Sequence, residues 1–339
     1  MTKLPVRPKH LGGETMTKTF TAALSALALA ASVGAAGATT LKLNHNNPPD
    51  HPVHISMQIM ADRVAELTDG EIKIQIFPNA QLGTQRESME LVQNCALEMA
   101  RSNASELEAF EESYSALNLP YIFSSEEHFN TVITSDIGQD ILSSSVDQGF
   151  RGVAFYTEGA RSFYAQKPIM SPADLQGVKV RVQPSPSAIR MVELLGGNPT
   201  PISWGELYSA LQQGVVDAAE NNPTALTTAR HGEVVSDFSL DEHTMIPSVV
   251  VISNCAWDGM TADQRKALQT AALDSMAAHR EAWNAASDAA IDEAKATLNV
   301  NVHMVDKAPF AEAVLPMHEE VAAKSEHLAD LIDRIKAAQ

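Results

Sequence analysis

Val178, Val180 and Val182 alternate with Lys179 and Arg181, a period of two that belongs to a strand with one apolar and one charged face. Pro184 and Pro186 break the pattern, Ser187 is placed to cap a helix, and Ile189, Val192 and Leu195 follow at helical spacing until Gly196 and Gly197 stop it. Strand, turn and helix in this order put Arg181 near the carboxyl end of a strand, where open α/β sheets hold ligands. The plainer alternative is that Lys179 and Arg181 line a solvated strand face, because charged residues are mostly exposed.

The same alternation runs through the chain. Leu41–Leu43 reads as a strand, and the segment His45–His54 leads into a helix with Asp50 as its cap, Pro52 in its first turn and Met57, Met60, Ala61, Val64 and Leu67 as its apolar stripe. Ile72, Ile74 and Ile76 form a second strand, Thr84–Glu87 a capping box, and Leu97–Ala100 the next strand. Ile137–Val146 is helical and Val153–Tyr156 a strand, before the pattern restarts at Val178. Strands alternating with helices imply a mainly parallel sheet, and the restart implies a second α/β lobe. Val249–Ser253 is a late strand, and a capping box at Thr261–Gln264 opens an alanine-rich helix through about Leu298, long enough to brace both lobes.

A length of 339 residues suits about two domains. The net charge of −18 argues against nucleic acid or an anionic membrane as a partner, so positive contacts to an anionic ligand must be local. Residues 1–38 read as a secretory signal with an N-terminal extension: Lys18 precedes the apolar run 20–33, and Ala36 and Ala38 frame a cleavage site. The mature chain is expected to begin near Thr39, and Met16 is a candidate start. Cys95 and Cys255 are too few for a disulfide scaffold; one bridge stays open, and two buried free thiols are the expectation. His45, His51 and His54 lie near Asp50, yet a helix entry accounts for the segment without a metal. Nucleophile, zinc and phosphate-loop motifs are absent, so neither a catalytic constellation nor a cofactor is indicated.

The stretch 203–223 is more informative. Ser203 is a cap for a helix whose Leu207 and Leu211 face inward, and Val215–Ala218 reads as a strand delivering Glu220, Asn221 and Asn222 to a loop. Adjacent amides at a strand end suit sugar hydroxyls, although an asparagine turn is the plainer alternative. Trp204, in the first turn, is a core residue in the plainer alternative, while an exposed indole face there would let a sugar ring stack on it.

Taken in order, DHPVH, IFPNAQLG, LPYIF, KVRVQPSPS, LGGNPTPISWGELYSALQQGVVDAAENNP and VVVIS resemble the solute-binding proteins of the tripartite ATP-independent periplasmic (TRAP) transporters across nearly the whole mature chain. The resemblance implies a two-lobed periplasmic-binding-protein fold, each lobe a mainly parallel sheet flanked by helices, with a long bridging helix. Lobe I is expected at 39–158 plus about 247–287, and lobe II at 159–246 plus about 288–339. By the same resemblance Arg181 pairs with a ligand carboxylate, Arg161 is a second arginine of the site, and Asn221, Trp204 and Asn46 occupy family positions. Asn222 and Asn103 join them as candidates for ligand hydroxyls, and Asn103 lies where sialic-acid-binding relatives carry an acidic residue. The doubled amide, with Arg230 and His231 and with Asp241–Met245, looks like members that bind glucuronate or galacturonate. The implied function is an exported, non-catalytic receptor delivering an organic acid, a sugar acid foremost, to TRAP membrane subunits. A C4-dicarboxylate or another small organic acid, a sensing subunit of a signalling system, and a periplasmic enzyme are the alternatives.

Overall fold

The computed structural model describes residues 38–338; the expected signal segment, as far as residue 37, lies outside them. The chain lays down β1 (Thr39–Asn44), β2 (Ile72–Phe77), β3 (Met99–Asn103) and β4 (Phe150–Tyr156), with helices between them. It continues through β5 (Arg161–Ala165), β6 (Lys179–Val182), β7 (Asn198–Pro201), β8 (Ala218–Asn221) and β9 (Asp237–Thr244), then β10 (Ser248–Ser253) and, after a 36-residue helix at Ala262–Thr297, β11 (Asn301–Met304).

Two mixed sheets result, one ordered β2-β1-β3-β10-β4 and the other β11-β9-β5-β8-β6-β7. The βαβ units are parallel, as the alternation requires: β1 with β2 and β3, and β6 with β7 and β8. Antiparallel pairs arise where the chain crosses between sheets, since β10 enters the first sheet between β3 and β4 and β5 lies between β8 and β9. At the crossing from β4 to β5, Gly159 has φ +61°, and a Cβ there would lie 2.9 Å from the Trp283 indole nitrogen. Only glycine suits both the left-handed backbone and that approach.

The capping boxes at Thr84 and Thr261 form as read. Two other caps shift. His51, not Asp50, caps the helix Pro52–Leu67, and Ser185, not Ser187, caps Pro186–Leu194. In both cases the cap is the residue before a proline, because proline's fixed φ and missing N–H suit the first helical position. Ser203 makes no side-chain cap bond; Trp204–Glu206 forms a 3-10 turn ahead of the helix Leu207–Gln212. The strand expected at Val215–Ala218 lies three residues later, so Glu220 and Asn221 belong to β8 and only Asn222 follows it.

The long helix touches the helix Pro52–Leu67 and β4 near its start, and the turn Thr224–Thr227 and β11 further along. It therefore contacts elements attached to both sheets. The sequence reading groups residues 288–339 with the second lobe, but the helix Glu326–Ala337 packs against Glu112–Asn118 and Asp136–Ser144, burying Leu328, Leu331, Ile332 and Ile335. His128 joins it, with Nε2 2.7 Å from the Ile335 carbonyl.

Cys95 and Cys255 are exposed and form a disulfide, rather than two buried thiols. Their Cα atoms stand 5.8 Å apart, because β3 and β10 are neighbours and bring together the turn before one and the helix after the other. The bridge spans 160 residues, so it removes much chain entropy from the unfolded state. Reduction, or Cys95→Ser with Cys255→Ser, is expected to lower unfolding free energy by about 2–4 kcal/mol in urea titrations. Equal midpoints for oxidised and reduced protein would contradict this.

Candidate functional site

The carboxyl ends of the parallel strands converge on one cavity. Asn46 follows β1, Asn103 ends β3, Arg181 lies one residue from the end of β6, and Asn221 ends β8. Arg161 begins β5 after the crossing, Asn222 follows β8, and Trp204 opens its 3-10 turn. All seven residues singled out in the sequence line this cavity. So do Arg101, Glu158 and Gln85, which sequence reading missed. Glu158, like Asn46, stands two positions past a strand end, but it is Asn46 alone that the family resemblance singles out. Arg101 sits within β3, where alternation alone does not mark it.

The three cavity arginines are all buried, and their partners differ. Arg161, 1% exposed, is held bidentately by Glu220, Nε to Oε2 at 2.6 Å and Nη2 to Oε1 at 2.9 Å, and also donates to the Glu220 carbonyl and to Asn221 Oδ1. Arg101 pairs with Glu158 and donates to Ser248, Asn46 and Gln85. Arg181, also 1% exposed, donates Nε to the Ile202 carbonyl at 2.8 Å and has no carboxylate within 4.0 Å among the described residues. Its Nη1 is buried without a partner. Burial holds its pKa below the usual arginine range, yet a guanidinium stays protonated in proteins. The strand face read as solvated is thus split: Lys179 is exposed, and Arg181 is sealed inside.

The polar side chains around it mostly present donors. Asn46 Oδ1 accepts from Arg101, Asn221 Oδ1 from Arg161 and the Asn222 amide, and Asn222 Oδ1 from Thr224. Each leaves its amide N–H groups as what it can offer a ligand. Trp204 is half-buried; its ring centroid lies 5.9 Å from Arg181 Cζ and 5.1 Å from the His231 ring. Burial, aided by Arg181, lowers the His231 pKa to about 3, so it backs the indole as a neutral ring, with Nδ1 2.8 Å from the Tyr164 hydroxyl. Arg230 stays at the surface, paired with Glu233.

Behind Arg161 a buried chain of charges continues. His243 Nε2 lies 3.3 Å from Glu220 Oε2, and its Nδ1 lies 2.7 Å from Asp241 Oδ2, while Asp241 Oδ1 accepts from the Phe163 amide. Burial acts to lower the His243 pKa, but Asp241 and Glu220 outweigh it and raise the value to about 9. Burial also pushes the Asp241 carboxyl up. We take Asp241 as ionised, because only the carboxylate accepts at both oxygens without a proton of its own. The histidines near the helix entry do otherwise: His45 Nε2 meets His54 Nδ1 at 2.9 Å, His51 caps its helix, and burial lowers all three pKa values. Among the described residues no group of three or more His, Cys, Asp or Glu is placed to hold a metal ion.

Two sheets joined by short crossings, with a donor-rich polar cavity at their strand ends, define a solute-binding architecture. Residues 43–325 match the sequence profile of the bacterial extracellular solute-binding proteins, family 7 (DctP), and the chain belongs to this family, that of the TRAP solute-binding proteins. It is a binding protein and not an enzyme. The uncharacterized protein YiiZ of Salmonella typhimurium is 36% identical over 305 residues, covering 89% of this chain and 93% of the relative. A TRAP periplasmic solute-binding protein from Xanthobacter autotrophicus Py2, solved with bound β-D-galacturonate, superposes with a TM-score of 0.86 at 36% identity, covering 88% of this chain and 100% of the other. One from Anaerococcus prevotii, solved with bound D-glucuronate, gives 0.86 at 34% identity, covering 88% and 98%. Among the described residues no helix is long and apolar enough to cross a membrane.

A folded-state pKa raised from 6.5 to about 9 makes His243 a source of stability that is fully present below pH 6.5 and lost as pH rises through 9. Between pH 7.5 and 9.5 the wild type is expected to lose about 2 kcal/mol more unfolding free energy than His243→Gln. Parallel losses in urea titrations of the two proteins would show that the imidazole is not charged in the fold.

Proposed function

We propose that the chain is a periplasmic receptor, exported by its first 38 residues, that captures a sugar acid such as glucuronate or galacturonate and delivers it to the membrane subunits of a TRAP transporter. The observation that carries this reading is Arg181, a buried guanidinium with no carboxylate partner among the described residues. Buried charges are ordinarily paired, so an unpaired one at the carboxyl end of a strand marks the place of an external anion. A ligand carboxylate there makes a forked, charge-assisted pair. The N–H groups of Asn46, Asn221, Asn222 and the remaining Nη1 proton of Arg161 suit the oxygens of a polyhydroxylated ring, with Trp204 beside its apolar face. The bound galacturonate and glucuronate of the two similar structures support the same ligand class. Residues from both sheets line the cavity, so a ligand touching both favours closure of the two lobes upon it.

Calorimetry with D-glucuronate, D-galacturonate and the neutral sugars D-glucose and D-galactose tests this. The acids are expected to bind and the neutral sugars not. Arg181→Ala should weaken binding by about 2–5 kcal/mol and Arg181→Lys by less, since lysine keeps the charge and loses the fork. Both variants should leave the ligand-free protein at least as stable as wild type, because arginine's uncompensated buried charge is removed or becomes a shiftable amine. Wild-type affinity in Arg181→Ala, or binding of neutral sugars alone, would overturn the reading.

A further inference from the structure

The charges around the cavity nearly cancel. Glu158 offsets Arg101 and Glu220 offsets Arg161, which leaves Arg181 as the guanidinium still without a carboxylate at contact distance among the described residues. Of the two carboxylates, Glu220 lies behind Arg161 and Glu158 lines the cavity itself. Glu158 is 6% exposed, and its hydrogen bonds, from Arg101, Ser248 and Asn103 Nδ2, all fall on Oε1. Among the described residues Oε2 has no hydrogen-bond partner.

Burial works against the charge on Glu158, but Arg101, His51, the Ser248 hydroxyl and Arg161 together keep its pKa below the usual carboxylate range. It therefore stands as an ionised acceptor in a cavity otherwise lined largely by donors. A ligand hydroxyl has a proton to give it; a ligand carboxylate has none and carries the same charge into a site of low dielectric.

Resting on the sugar-acid reading above, we propose that Glu158 determines specificity: its free oxygen accepts from a ligand hydroxyl and excludes a second carboxylate, so the site selects polyhydroxylated monocarboxylates over dicarboxylates. Asn103 contributes indirectly, since its amide holds the other oxygen of Glu158 and adds no second negative charge where an acidic residue would.

The test compares D-galactonate with galactarate, open-chain six-carbon acids that differ in a hydroxymethyl or a second carboxylate at one end. Each is measured by displacement of bound D-galacturonate. Wild type is expected to favour galactonate at least about tenfold, and Glu158→Gln, which keeps an acceptor oxygen and drops the charge, to narrow that ratio at least about tenfold through a gain for galactarate. A wild-type ratio near one, including no displacement by either acid, overturns the proposal whether or not the variant folds. An unchanged ratio in a folded Glu158→Gln also overturns it. Absence of galacturonate binding at the outset removes the sugar-acid reading itself and this inference with it, so the two failures are distinct.

Discussion

A guanidinium sealed from water without a counter-ion is the interaction on which the rest of this molecule turns. Removing a charge from water costs several kcal/mol even after relaxation, and the fold tolerates that cost at Arg181 alone among its three cavity arginines. The Ile202 carbonyl fixes Nε and Trp204 lies beside the group, so its plane is set before any ligand arrives. Preorganisation of this kind favours a carboxylate, whose two oxygens match the fork.

The neighbouring networks have the opposite character. Asp241, His243, Glu220 and Arg161 alternate in sign and are linked at 2.6–3.3 Å, and Arg101 is locked to Glu158 and Ser248. Such networks hold their members in one orientation only when every member is satisfied. Their effect reaches the cavity through Asn46 and Asn221, whose carbonyl oxygens are occupied by Arg101 and Arg161, while Asn222 is turned the same way by Thr224. A site that is donor-rich by default and has one ionised acceptor follows from this wiring. The strand-end position of each residue follows from parallel β1, β3, β6 and β8, which place their carboxyl ends on the same side of their sheets.

Much of this is legible in the sequence because the relevant signals are local. The Val178–Val182 alternation gives a strand, and glycines and prolines bound the helices; the Thr261 box opens a helix that ends within a residue of the expected Leu298. What was illegible depends on tertiary neighbours. β9 carries Asp241 and His243 inward, so its polar composition hides a buried strand, and the pairing of Cys95 with Cys255 depends on β3 and β10 being adjacent. Arg161 reads as a free cation, like Arg181, until Glu220 is seen across β5 and β8. Neither alternation nor resemblance reports which charge is already neutralised.

The most direct measurement is a crystal structure of the protein with D-galacturonate bound. The account predicts both carboxylate oxygens within hydrogen-bonding distance of the Arg181 guanidinium, with Nη1 of that residue no longer unpartnered and a ring hydroxyl on Glu158. A sugar bound with its carboxylate on Arg161 or Arg101, or facing solvent, while Arg181 remains unpaired, would contradict it.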